Sequence, residues 1–281
     1  MSVLSTIYSI NPFLFMALGA GLAASVSGGI IGAYVVTKRI VFIGGSISHA
    51  VLGGMGLFLW LKRTYHIPFL SPLHGALLAA ILSAFILGWV HLKCKEREDS
   101  IIAAIWATGT SIGVLFITFT PGYNVELMNF LFGNILWATQ SDLSALLILD
   151  AVVVGSTLLF YKKFQAICFD EKQAKLQGLP VHALYVFLLC LISLSIVILI
   201  QVVGAILVIS LLTLPAATTA GMAKKLSTLM KTSIIASMIF TCVGIYLSYQ
   251  LDWPPGATIT LVAAACYSIY LASSRKLILR K

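Results

Sequence analysis

Ile40-Val-Phe-Ile-Gly-Gly-Ser-Ile-Ser-His-Ala-Val-Leu-Gly-Gly-Met-Gly-Leu-Phe-Leu-Trp-Leu61 is a run without a charged side chain and with one histidine, His49. A helix of roughly 20 residues crosses the hydrocarbon core of a bilayer, so the run reads as a membrane span with His49 near its centre. Gly45 and Gly53 stand four residues before and after the histidine and share its helical face; Ser46 and Ala50 flank it. A polar ring framed by glycines can meet a neighbouring helix or a small polar solute at close range. Ionisable groups at membrane depth are costly and line interior paths or polar cavities. The competing reading of His49 is a hydrogen bond across a helix interface.

The rest of the chain agrees with a membrane setting. Of 281 residues, 60% are hydrophobic and only 10% charged, and the mean hydropathy is +1.03. Soluble domains do not have this composition, so the fold class expected is an all-α, polytopic helical bundle. The longest polar stretch, 162–180, is too short to bury a core of its own, so residues 1–281 read as a single transmembrane domain. The net charge of +9 suggests no nucleic-acid partner, because the basic residues sit in short clusters between apolar runs. The first basic residue is Lys38, so the start of the chain lacks the positive region of a signal peptide. The five cysteines, Cys94, Cys168, Cys190, Cys242 and Cys266, show no paired spacing. They indicate neither a disulfide framework nor a thiolate metal site.

Nine helices are predicted, at about 13–37, 40–61, 73–92, 100–119, 143–161, 181–201, 202–222, 229–249 and 255–273. The sixth and seventh share the apolar run 181–221 and are divided at Gln201 and Gly204; without a reversal there the count is eight. Placing the N-terminus outside puts sixteen of the eighteen Lys and Arg residues on the inner side, with only Lys62 and Arg63 outside. The positive-inside rule therefore selects N-out and C-in. The stretch 120–142 then lies outside. Phe130, Leu131, Phe132, Ile135, Leu136 and Trp137 make it too apolar for a free loop, and a short interfacial or re-entrant helix is expected. Gly21, Ser25, Gly28, Gly29 and Gly32 in the first helix have small-residue spacing, which suits a conduit lining or close helix packing.

Other candidates are fewer. Asp150 is a carboxylate inside an apolar run, a functional candidate by position or a structural hydrogen-bond acceptor. Gln201 could line the same cavity or satisfy backbone at a helix reversal. His66, His74, Glu126 and Asp252 fall on outer segments and read as a cation hand-over or as solvated surface. His91 and His182 sit at inner helix ends, facing a helix terminus or water. The segment Phe169-Asp-Glu-Lys-Gln-Ala-Lys-Leu-Gln-Gly-Leu-Pro180 reads as a short helix with both ends marked. Asp170 caps the start, Glu171 suits the first turn, Gly178 suits a left-handed stop and Pro180 bars continuation. It is either a docking element for a soluble partner or an amphipathic connector on the membrane. The chain has no G-x-x-x-x-G-K-[ST] motif for a nucleotide and no HExxH or DxDxG, so no catalytic or cofactor-binding residue is assigned and no enzyme chemistry is expected.

Three motifs in order give the chain a resemblance that covers most of its length: Gly44-Gly-Ser-Ile-Ser-His-Ala-Val-Leu-Gly-Gly54, Phe169–Val181, and Val203-Gly-Ala-Ile-Leu-Val-Ile-Ser-Leu-Leu-Thr-Leu-Pro-Ala-Ala217. Together they resemble the membrane permease subunit of ABC-type zinc, manganese or iron importers, the ABC-3 family. The resemblance implies a multi-pass protein of the bacterial inner membrane that works as a homodimer or beside a sibling permease. It also implies cytosolic ATPase subunits that hold the ATP and an extracytoplasmic metal-binding protein. His49 and Asp150 are then candidate metal contacts along the path, with Gly45, Ser46 and Gly53 shaping it. Asp170, Glu171, Gln173, Ala174, Leu176, Gly178 and Leu179 become the ATPase-coupling segment. Many members carry Asp where this chain has Gly45; the loss of that oxygen ligand leans towards zinc over manganese. The alternative is an ion-coupled secondary transporter in which His49 and Asp150 carry protons, and a third reading is a scaffold with no transport of its own.

Overall fold

A computed structural model of the chain describes residues 12–67, 69–93, 98–121, 133 and 135–278. These form ten α-helices and one 3₁₀ turn, with no strand among the described residues. The helices are α1 (Pro12–Lys38), α2 (Ile43–Tyr65), α3 (Pro72–Lys93), α4 (Glu98–Phe119), α5 (Gln140–Phe169), α6 (Glu171–Leu176), α7 (Val181–Val203), α8 (Ala205–Ala220), α9 (Leu226–Leu251) and α10 (Pro255–Ile278). The 3₁₀ turn, Ile135–Trp137, lies before α5. Eight helices are long and apolar enough to cross a membrane by length and composition; α8 is a shorter apolar helix. An all-helical build follows from the solvent: hydrocarbon offers the backbone no hydrogen bonds, so each span must satisfy its own. Several hydroxyls do the same. Ser25, Ser48, Ser83, Thr110 and Ser195 each donate to the carbonyl four residues back. Proline opens α1, α3 and α10, at the position where its missing N–H is not needed.

Each expected helix has its counterpart apart from the ends, but the seventh, α8, is not among the eight that are long enough to cross a membrane. Ile40–Phe42 forms a turn, with the Ile43 N–H donating to the Ile40 carbonyl at 3.0 Å, so α2 begins later and runs to Tyr65. His49 therefore sits in the second turn of α2, about 9 Å from its start at 1.5 Å per residue, and not near its centre. The fifth helix is longer than expected: α5 includes Lys162, Lys163 and Cys168, which the sequence had suggested for a loop. The break between α7 and α8 falls at Gly204, with φ +83°, a left-handed backbone that glycine adopts without steric cost. The 16 residues of α8 reach about 24 Å, short of a roughly 30 Å core. Of the expected re-entrant element, Gly122, Asn124, Glu126, Asn129–Phe132 and Asn134 lie outside the described residues, as does Cys94. The described part is the Ile135–Trp137 turn, which buries Ile135 and leaves Trp137 exposed.

The chain forms two compact units, each assembled from separated segments. The first comprises the described residues within 1–37, 132–154 and 201–281. Here α8 packs on α9 and α10, burying Leu207, Val208, Leu211 and Leu212. Pro215 lies inside α8 and has no N–H for the Leu211 carbonyl. Gly28 faces that carbonyl region and Gly32 faces the carbonyl of Leu212, while a Cβ on Gly29 would stand 2.7 Å from the Ile234 nitrogen. The small residues of α1 thus serve close packing, not an open conduit. The second unit comprises the described residues within 38–131 and 155–200. Its α2 packs on α3 and α4, burying Ile43, Ile47, Val51 and Leu59. Along α5, Leu158 and Leu159 are exposed, as suits side chains facing lipid tails.

Candidate functional site

His49 projects from α2 towards α4. Its ring stacks on Trp106 with centroids 4.9 Å apart and 22° between planes. Its Nδ1 lies 2.9 Å from the Thr110 hydroxyl. Trp106 and Thr110 are four residues apart on α4 and so share one face. Gly45 gives Trp106 its room: a Cβ on Gly45 would stand 2.5 Å from the indole Cζ3. On the other side of His49, a Cβ on Gly53 would fall 2.8 Å from the Gly109 carbonyl oxygen. The two glycines therefore admit α4 to the histidine face. Ser46 is fully buried, and its hydroxyl has no hydrogen-bond partner. Among the described residues no three His, Cys, Asp or Glu side chains gather into a metal-holding group; His49 offers a single imidazole.

Asp150 belongs to the first unit. Its Oδ1 accepts from the Ser27 N–H at 3.1 Å. A carboxylate that bonds the backbone of a neighbouring span ties α5 to α1. Asp150→Asn keeps an acceptor oxygen and Asp150→Leu removes it. The expected result is near-normal membrane assembly for the first and a several-fold loss for the second, since a hydrogen bond between two helices contributes about 0.5–1.5 kcal/mol net. Folded yield in detergent measures this. Loss of transport in both variants with assembly intact would assign the charge a role beyond the bond. His49 and Asp150 fall in different units.

The third site is α6. Asp170 caps it: its side chain accepts from the Gln173 N–H at 3.0 Å. At the other end the Gly178 N–H reaches the Lys175 carbonyl at 3.0 Å and the Leu179 N–H reaches Ala174 at 3.2 Å. This pair of bonds is a Schellman stop, which needs a left-handed residue; Gly178 has φ +77°. Ala174 is buried, while Leu176 is 89% exposed. Asp170, Gln173 and Ala174 line a shallow groove with Phe169 of α5.

Glu171 is more than a first-turn acid. Its carboxylate pairs with Lys38 at the end of α1 and lies 3.1 and 3.2 Å from Nε2 of His91, near the end of α3. The Tyr185 ring of α7 carries both partners, with the Lys38 ammonium 4.9 Å from its centroid and the His91 ring at 4.3 Å. The hydrogen bond with His91, followed by the bond and charge of Lys38, holds the Glu171 carboxyl down at about 2 against the opposing effect of burial. His91 thus meets a carboxylate, where its sequence position suggested a helix terminus or water.

The remaining candidates form turns and surface. His66 and Asp252 end α2 and α9 in left-handed conformation. His74 Nδ1 accepts from the Ser71 N–H at 3.3 Å. His182 and Gln201 are exposed, and Glu126 lies outside the described residues. Sequence reasoning missed Trp106, Thr110, Lys38 and Tyr185. The i, i+4 spacing of Trp106 and Thr110 was the one visible hint; nothing local marks Lys38 or Tyr185.

The comparisons with known proteins agree with one another. A probable metal transport system membrane protein of Chlamydia pneumoniae is 46% identical over 257 residues, covering 92% of this chain and 87% of that protein. The manganese transport system membrane protein MntC of Halalkalibacterium halodurans is 30% identical, covering 94% of this chain and 88% of the relative. The solved structure of PsaBC from Streptococcus pneumoniae in complex with Fab has a TM-score of 0.83 at 26% identity and covers 99% of each chain. The model of the ABC 3 transport family matches residues 10–274. With its many apolar spans and this match along nearly its whole length, the chain is a multi-pass membrane protein that belongs to the ABC 3 transport family.

Proposed function

We propose that this chain is the membrane permease subunit of an ATP-driven importer for a divalent transition metal, and that residues 1–281 act as one transmembrane permease domain. The observation that carries the reading is α6. A six-residue helix capped at both ends, and joined by Glu171 to the ends of α1 and α3, is built to pass a push from a soluble partner into the spans. The chain has no phosphate-binding loop, so ATP is held by separate ATPase subunits that receive α6. The basic clusters support an inner position for these subunits with the N-terminus outside; a C-terminus inside then requires the short α8 to serve as a ninth crossing. A binding protein delivers the metal from outside, and a second copy or a sibling permease completes the path within the lipid. Manganese, named for several relatives, zinc and iron are the candidate cargoes. A lone imidazole with no carboxylate at position 45 favours a borderline metal such as zinc. Transient contact with His49 suits a path better than a storage site.

Gly178→Val tests this reading. Nothing lies within 4 Å of a Cβ there, so the effect is purely conformational. A side chain in left-handed backbone costs roughly 1–2 kcal/mol, more for a β-branched residue. The variant should insert normally, while its co-purification with the ATPase and its metal-stimulated ATP hydrolysis fall on the order of tenfold. The runner-up, an ion-coupled transporter using His49 and Asp150, requires neither. Metal movement by the purified chain alone down a proton gradient would overturn the ATP-driven reading.

A further inference from the structure

We propose that Thr110 is a positioning residue that holds His49 as the Nδ1–H tautomer, so that Nε2 presents its lone pair to the metal while Trp106 braces the ring. The inference rests on the reading of His49 as a cargo contact. It begins with a count of hydrogens. The Thr110 hydroxyl has one hydrogen and stands within bonding distance of two groups, the Trp106 carbonyl at 2.8 Å and His49 Nδ1 at 2.9 Å.

If the hydroxyl donated to Nδ1, only one of these bonds would form. If it donates to the Trp106 carbonyl, its oxygen is free to accept from Nδ1–H, and both form. The arrangement that makes both bonds is favoured over the one that makes a single bond. The backward bond to the carbonyl four residues before is also the habitual one for threonine in an apolar helix. A neutral imidazole protonated at Nδ1 carries its lone pair on Nε2, and the hydrogen bond made by one nitrogen decides which nitrogen is left to bind metal. Trp106 fixes the remaining freedom. Its indole lies nearly parallel to the imidazole and is seated over Gly45, which limits rotation of the ring. Trp106 and Thr110 are one turn apart on α4, so one helix face supplies both the stacking surface and the acceptor. Bonds of this kind, one step removed from the metal, change affinity by about 10–100-fold when lost.

The test uses the full chain, labelled with ¹⁵N-histidine, in lipid bilayers without metal at about pH 8, above the ordinary histidine range. The His49 signals are assigned by difference against His49→Ala. The expected spectrum has a protonated Nδ1 and an unprotonated Nε2. Thr110→Ser keeps the hydroxyl and should reproduce it. Thr110→Val keeps the shape without the acceptor and should move the proton to Nε2 or mix the two forms; Thr110→Ala replaces it should the valine variant not insert. An Nε2–H signal in the unmodified protein, or an unchanged spectrum in the valine variant, would overturn the proposal. Titration with Zn²⁺ alone should shift the Nε2 signal, with the half-saturating concentration raised on the order of tenfold in Thr110→Val and unchanged in Thr110→Ser. If the tautomer responds to Thr110 as expected and Zn²⁺ leaves Nε2 untouched, the presentation of His49 to metal is refuted while the ATP-driven reading, tested at Gly178, is not.

Discussion

Gly54→Leu is expected to abolish assembly of the protein. Gly54 and Gly75 face each other where α2 packs on α3. A Cβ on either residue would run into the backbone carbonyl of the other, and one on Gly54 would also stand 2.6 Å from the Ala79 Cβ. Backbone on both sides leaves nothing flexible to move aside. Forcing extra methylenes into a packed site costs about 1–3 kcal/mol, and a leucine here adds several against main chain, so the upper end or beyond applies. Folded yield in detergent should fall by about tenfold or more, and metal uptake with it. Gly54→Ala should show a smaller loss of the same kind. Gly155→Leu is the control: no atom lies within 4 Å of a Cβ at Gly155, so a side chain there meets open space. Normal yield and uptake from Gly54→Leu would mean that α2 and α3 do not pack in the membrane as they do here.

The second large effect is expected at Glu171. Glu171→Ala leaves the Lys38 ammonium, whose side chain is only 11% exposed, without its carboxylate, and it releases α6 from both α1 and α3. Removing one partner of a largely buried pair is far more damaging than the net worth of the pair, because the other charge is left uncompensated. The variant should insert and bind the ATPase through an intact α6 surface, yet lose more than about tenfold of its metal-stimulated ATP hydrolysis. Glu171→Gln keeps an acceptor for the His91 ring and should lie between. The dependence on pH has a definite sign. The folded carboxyl is depressed from an ordinary value of 4.5 to about 2. Its contribution is therefore complete above about 4.5 and is lost as pH falls towards 2. Protection of the α6 amides from hydrogen exchange should stay constant from neutral pH down to about 5 as far as this group is concerned. A loss of protection between pH 7 and 5 in the unmodified protein, absent in Glu171→Gln, would show that the carboxyl titrates there and that the anchor is weaker than the geometry indicates.

His49, Glu171 and Gly178 show how differently the parts of this protein could be read in advance. The apolar runs, the membrane setting and the caps of α6 are local properties. Hydropathy fixes a span within its own twenty residues, and a cap is a matter between neighbours, so Asp170 and Gly178 were legible directly. The helix ends were less so. α5 carries Lys162 and Lys163 within the helix, because long basic side chains can bend towards water from a helix that continues. Ile40–Phe42 is as apolar as the helix it precedes, and nothing in its composition marks a turn. The partners of the singled-out side chains were not legible at all. Glu171 meets residues 133 and 80 positions away, and His49 meets Thr110 from 61 positions away. The glycines around His49 advertised a close approach, but a glycine records only that something comes near. Whether that neighbour is a solute, an indole or a carbonyl is decided by how the helices pack. At Gly45 it is Trp106 and at Gly53 the Gly109 carbonyl, because α4 lies against α2 at just that height.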